Sequence, residues 1–189
     1  MNKHRLRREQ STNLLVDTAL QLFSEKGYDR TSIRHIAQEA GVSLGLLYNY
    51  FKSKEELLHE IFRRMNADIQ ASFAQAEEEE GMDALNGLER HIRQTVKLLK
   101  EKRSFWRLLH SLRYQREVTE QVAQEIQEQV LSIEARISQN LKAVEVASPE
   151  LEAKLLFAAI DGLASHYLLL DNYPIDELAE LLIRKYQNR

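Results

Sequence analysis

The sequence predicts an all-α protein of about nine helices, and three observations carry that prediction. Apolar residues recur at helical spacing along most of the 189-residue chain, strand-like alternation is absent, and only two prolines interrupt it. With 43% hydrophobic and 29% charged residues, the composition is that of a globular protein able to bury a core in one or two domains.

The elements follow in order. A first helix is predicted over Ser11 to Lys26 and a second over Ser32 to Ala40, where Ile33, Ile36, Ala37 and Ala40 share one face. Gly41 ends it, because glycine takes the left-handed cap conformation at little cost. Ser43 then caps a third helix running to Phe51, with Leu47 and Phe51 as its inward anchors. Ser53 with Glu56 is a capping-box signature for a fourth. Leu57, Leu58, Ile61, Phe62, Met65, Ile69 and Phe73 carry that helix on as a connecting rod, and the acidic run Glu77 to Glu80 ends it near Gly81 as a solvated terminus. Leu85, Leu88, Ile92, Val96 and Leu99 mark a fifth helix, and Phe105 to Tyr114 a short aromatic sixth. The seventh is the most regular, its stripe stepping through Val118, Val122, Ile126, Val130, Ile133, Ile137 and Leu141. Ser148-Pro149, a cap followed by a first-turn proline, starts an eighth that runs to about Leu170, and Pro174 introduces a ninth from Ile175 to about Tyr186.

The second and third helices are joined by so short a turn that they must cross steeply. The outer face of the third, Leu44, Gly45, Leu46, Tyr48 and Asn49, is thereby left free to enter a DNA major groove.

Here the residues resemble a known family. Thr31-Ser32-Ile33, Ile36-Ala37, Ala40-Gly41-Val42-Ser43, Gly45, Tyr48, Phe51 and Lys52-Ser53-Lys54-Glu55-Glu56-Leu57 form a gapless motif similar to the amino-terminal domain of the TetR family of bacterial transcriptional regulators. Leu14 to Tyr28 resembles that family's first helix and its Phe-x-x-x-Gly-aromatic ending. The likeness is strong over roughly the first sixty residues and architectural beyond them. Leu44 stands where a Lys or other polar residue is frequent in the family, and Tyr50 where His is frequent.

The net charge of −3 is unevenly spread: residues 1–54 carry +4 and the remainder −7. Phosphate contact needs local positive charge, and an acidic remainder keeps the rest of the surface off DNA. No apolar run is long enough for a membrane span, and the basic start, Lys3 to Arg8, leads into polar residues instead of a signal-peptide segment, so a cytoplasmic protein without a membrane partner is expected. The absence of cysteine excludes disulfides, thiolate metal sites and cysteine nucleophiles.

No enzyme constellation emerges. The six histidines show no helical metal-site spacing, and there is no Gly-rich phosphate loop, so no catalytic residue, metal or cofactor is expected. Asp161, in an apolar helix, reads as interface or pocket polarity. Trp106, His110 and Tyr114 step by four along one helical face, a pattern that serves a core as readily as a cavity. In the cavity reading they join Phe62, Ile69 and Phe157 to line an effector site with few polar hooks. The family resemblance implies such a site between the fourth and eighth helices.

The eighth helix is apolar almost all round, which suits burial on two sides. Its small residues Ala158, Ala159, Gly162 and Ser165 allow a close helix approach, and with Leu178, Leu181 and Leu182 of the ninth helix two copies would form a four-helix dimer interface, as the resemblance also implies; the alternative is the central core helix of a monomer. The expectation is therefore a ligand-responsive homodimeric transcriptional regulator, a repressor released from a palindromic double-stranded DNA operator by a small, largely apolar effector. Residues 1–52 would form the helix-turn-helix domain and 53–189 the effector-binding and dimerisation domain. Thr31 and Ser43 would cap helices and donate to phosphates, Tyr48, Tyr50, Lys52 and Lys54 would hold the backbone, and Leu44, Gly45, Leu46 and Asn49 would face the bases. The rival is a helical small-molecule-binding or structural protein with a degenerate DNA-binding motif.

Overall fold

The computed structural model describes residues 3–80, 84–113, 115, 122–143 and 145–187, the side chains of 3–5, 79, 80 and 84–86 excepted. Among the described residues there are nine helices and no strand. They are α1 (Lys3–Lys26), α2 (Ile33–Glu39), α3 (Leu44–Tyr50), α4 (Lys54–Glu80), α5 (Ala84–Glu101), α6 (Arg103–Leu112), α7 (Ala123–Ala143), α8 (Pro149–Leu169) and α9 (Ile175–Gln187). The all-α expectation holds. The expected start of the seventh helix at Val118, and the expected stop near Gly81, lie outside the described residues.

One boundary and two caps differ from the sequence reading, each for a local reason. α1 begins at Lys3, not Ser11, because the hydroxyls of Ser11 and Thr12 donate back to the carbonyls of Arg7 and Arg8, at 3.0 and 2.8 Å, and so sit inside the helix. α2 is capped by Ser32, not Thr31: the Ser32 hydroxyl accepts the His35 N–H at 3.2 Å. α8 does start at Pro149, but Ser148 lies in the left-handed region at φ +56° and its side chain makes no capping bond.

The chain forms two compact units. One comprises Met1–Met65 with Ser104–Glu125, the other Asn66–Arg103 with Ile126–Arg189. The first is built on Leu15, Phe23, Ile36, Leu47, Leu57, Leu58, Ile61, Phe62, Phe105, Leu108 and Leu112, all buried. Within it the Phe105 ring meets Phe62 edge-on at 5.5 Å, and Arg64 of α4 donates to Asn13 of α1 at 2.6 Å. Glu60 accepts from both Arg63 and Arg64; these hydrogen bonds, led by that from Arg63, hold its carboxyl down at about 2.

The second unit has its own core of Leu88, Ile92, Ile137, Leu141, Ala153, Leu156, Ala179 and Ile183, drawn from α5, α7, α8 and α9. Arg93 and Lys100 of α5 pair with Glu180 and Asp176 of the α9 segment at the surface, contributing little against water. Gly87 is a tight crossing: a Cβ there would stand 2.5 Å from the Asn140 side-chain oxygen.

Candidate nucleic-acid interface

The geometry of α1 to α3 is set by two glycine turns. Gly27, at φ +89°, ends α1, and its N–H bonds the Phe23 carbonyl at 3.1 Å. The chain is folded back so that the Tyr28 ring packs on Phe23 with centroids 4.9 Å apart, which explains the Phe-x-x-x-Gly-Tyr spacing. Gly41, at φ +67°, ends α2 in a Schellman motif: its own N–H bonds Gln38 O at 3.1 Å and the Val42 N–H bonds Ala37 O at 3.0 Å. Two residues later Ser43 caps α3, accepting the Leu46 N–H at 3.1 Å.

This turn decides which face of α3 is available. Leu47 is fully buried, whereas Gly45, Leu46, Tyr48 and Asn49 are exposed and Leu44 and Tyr50 half-buried. Leu46 and Tyr48 are 38% and 41% exposed, a large apolar and aromatic area to leave in water on a seven-residue helix.

The rim residues are placed less uniformly. Lys52 is exposed and its Nζ donates to the Tyr48 carbonyl at 2.9 Å, closing the end of α3. Lys54 is half-buried: its Nζ donates to the Tyr28 carbonyl at 2.9 Å and stands 4.0 Å from the Tyr28 ring centroid. Beside it Glu55 accepts the Tyr28 hydroxyl at 3.2 Å; hydrogen bonding, first from Ser53, keeps that carboxyl below its usual range, while burial and Glu55 push the Tyr28 phenol up. The ammonium of Lys54 thus staples α4 onto Tyr28. Thr31 corrects the reading most directly. It is buried, and its hydroxyl donates to Gly27 O at 2.8 Å, so it neither caps α2 nor faces a phosphate. Ser32 was the missed residue; as the serine one step nearer the apolar run, it had the better claim to the cap.

The six residues expected at an effector cavity are divided. Phe62 is buried and Trp106 half-buried, and both rings lie 5.5 Å from Phe105 in the first unit. His110 is half-buried in the same unit, whereas Tyr114 lies outside the described residues. Ile69 and Phe157 belong to the second unit, Ile69 buried and Phe157 packed on its core. Within that unit Ile92, Thr95, Val96, Leu99, Ile160, Leu163, Ala164, Ile175, Ala179 and Leu182 line a small apolar depression with room for little more than one water molecule. None of the six expected residues lines it.

Part of the expected interface set lies on an exposed apolar face, whereas Leu182 packs against the core of its own unit. Leu151, Leu155 and Leu169 of α8 are 69%, 63% and 79% exposed, Ala158 and Ala159 are also exposed, and no atom lies within 4 Å of a Cβ built at Gly162. Ser165 is half-buried with its hydroxyl turned back to the Asp161 carbonyl, and on α9 Leu178 and Leu182 are half-buried while Leu181 is 46% exposed.

A glycine-turned helix pair with a buried anchor and an exposed polar-aromatic face, set on α4, defines a helix-turn-helix protein. Residues 15–61 match the amino-terminal profile of bacterial regulatory proteins, tetR family. The chain's relatives agree. The Fatty acid metabolism regulator protein of Bacillus subtilis is 36% identical over 63 residues, covering 29% of this chain and 32% of that protein. The uncharacterized HTH-type transcriptional regulator YhgD of Bacillus subtilis is 26% identical over 188 residues, covering 91% of this chain and 94% of that one. The crystal structure of the transcriptional regulator FadR from Bacillus subtilis in complex with stearoyl-CoA superposes with a TM-score of 0.75 at 21% identity, covering 92% of this chain and 96% of that chain, a likeness of fold. The chain spans only 17% to 32% of the lengths of the first three curated relatives it matches.

Proposed function

We propose that this chain is a homodimeric, ligand-responsive transcriptional repressor of the cytoplasm, released from a palindromic double-stranded DNA operator by a small, largely apolar effector. The observation that carries the reading is the outer face of α3: Leu46, Tyr48 and Asn49 stand exposed while Leu47, between them in sequence, is fully buried. A helix held by one buried anchor, with its opposite face bare, has the form of a major-groove reader. Leu44 and Leu46 meet thymine methyls and Asn49 reads adenine, while Ser43, Tyr48, Tyr50 and Lys52 hold phosphates. Residues 1–52 are the reading head and 53–189 the effector-binding and dimerisation domain, although 53–65 and 104–125 pack in one compact unit with the head.

Dimerisation is supported by the α8 and α9 face. Leucines as exposed as Leu151, Leu155 and Leu169 along one helix mark a surface that a partner covers. A second copy also supplies the second half-site, since one short reading helix contacts too few bases for specificity. For the effector, relatives narrow the chemistry: the Bacillus subtilis FadR structure holds stearoyl-CoA, so a long-chain acyl thioester is the first class to try. It lowers DNA affinity only by binding the released state better than the DNA-bound one.

The test is to pass fragmented genomic DNA over the purified chain, sequence what is retained, and repeat with stearoyl-CoA added. The proposal expects a palindromic consensus whose recovery falls with the acyl thioester. Ligand binding without any retained consensus would favour a small-molecule-binding protein with a degenerate head. A consensus insensitive to acyl thioesters would leave the reader in place and remove that effector class.

A further inference from the structure

Resting on the DNA-binding reading above, we propose that the overhanging start of α1 is a second DNA contact, in which Arg7 and Arg8 clamp phosphates flanking the base pairs read by α3. This segment lies ahead of residues 15–61, the part of the chain that matches the family profile. The buried face of α1 runs through Leu15, Ala19 and Leu22. One turn earlier that face carries Ser11 and Thr12, and one turn earlier still Arg8, so its apolar character stops where the core stops. Residues 3–8, Lys-His-Arg-Leu-Arg-Arg, contain no acid. The overhang's described side chains, Leu6 to Gln10, are exposed throughout and cover no core.

What it does meet is the end of α3. The Arg8 guanidinium stands over the Tyr50 ring, 5.8 Å from its centroid. Stacking of this kind uses the face of the guanidinium and leaves its in-plane N–H donors pointing outward, the fork geometry that fits phosphate oxygens. Tyr50 is the last residue of α3, so Arg8 is held beside whatever backbone the end of the reading helix lies along. Arg7 is exposed one residue away and extends the positive edge outward. The hydroxyls of Ser11 and Thr12 bond the Arg7 and Arg8 carbonyls and fasten the turn that presents both side chains.

The experiment measures DNA affinity against salt for the full chain and for the Arg7→Ala/Arg8→Ala double variant, on the fragments the unaltered chain retains. Each lost phosphate contact flattens the plot of log affinity against log salt by roughly 0.9, so a flattening of about 1.8 per protomer is expected, with an unchanged base consensus. Arg8→Lys, which keeps the charge and loses the planar fork, should keep the parental slope while binding less tightly. An unchanged slope in the double variant overturns this contact while leaving α3 as the reader. If the unaltered chain retains no DNA, both readings fall. A changed consensus in the double variant also contradicts it, because a phosphate contact carries no base information. Both arginines are exposed, so the variant's melting curve should match the parent's, and a lowered one would assign them to folding instead.

Discussion

α3 and α8 both leave leucines in water, and the surroundings of each tell the two apart. α3 is seven residues long, shows Leu46, Tyr48 and Asn49, and has Lys52 and Arg8 at its carboxyl end. α8 is 21 residues long, exposes Leu151, Leu155 and Leu169 at 63% or more, and carries small residues where another helix would approach. A short stripe edged with cations suits a charged, grooved partner; a long apolar one suits a copy of itself. Exposure marks both surfaces, and the proposed function assigns them by charge.

The comparison can be broken first at its anchors. Leu47→Ala removes the buried side chain that fixes the face of α3, and should cost about 2–5 kcal/mol and abolish DNA retention. A denaturant titration checks the first and a binding assay the second. A variant of parental stability that still binds would mean α3 is not held as described.

The second unit should instead respond to acid. His91 is buried, stacked on Phe73 at 5.1 Å, and burial, followed by the nearby Arg136 charge, depresses its pKa from 6.5 to about 4. Because the folded value lies below the unfolded one, the unfolded chain takes the proton first. The stability is whole above pH 6.5 and is lost as the pH falls toward 4, by about 2 kcal/mol between pH 7 and 5. His91→Leu should flatten that profile; an unaltered acid dependence would place its source elsewhere.

Gly162→Leu separates the α8 surface from its own protomer. Beyond its own helix backbone the added Cβ meets no atom of the protomer within 4 Å, and leucine is the better helix former, so the substitution introduces no clash at its Cβ within the protomer. Sedimentation should nevertheless show half the parental mass. A dimer persisting at low concentration would move the interface off this face.

Much of this was legible in the sequence, and unevenly. The turn at Gly41, the cap at Ser43 and the buried Leu47 follow from local chemistry that a linear reading can weigh, and all three appear as expected. The overhang of α1 was hidden because Lys3 to Arg8 have no apolar periodicity, and Ser11 resembles a cap when its hydroxyl in fact bonds backward. Lys54 looked like a free rim cation because its partner, Tyr28, lies 26 residues away. The surroundings of Trp106 and Phe157 were hidden similarly: each is placed by packing within its own unit, which spacing along one helix does not encode.

The central claim, that the outer face of α3 reads bases, is tested most directly by binding-site selection on Asn49→Ala beside the parent chain. Asn49 is exposed and outside the core, so the variant should fold normally. The account predicts a consensus relaxed at one position in each half-site, with a cost of about 1–3 kcal/mol against the parental base there. An unchanged consensus, bound as tightly as before, would contradict it.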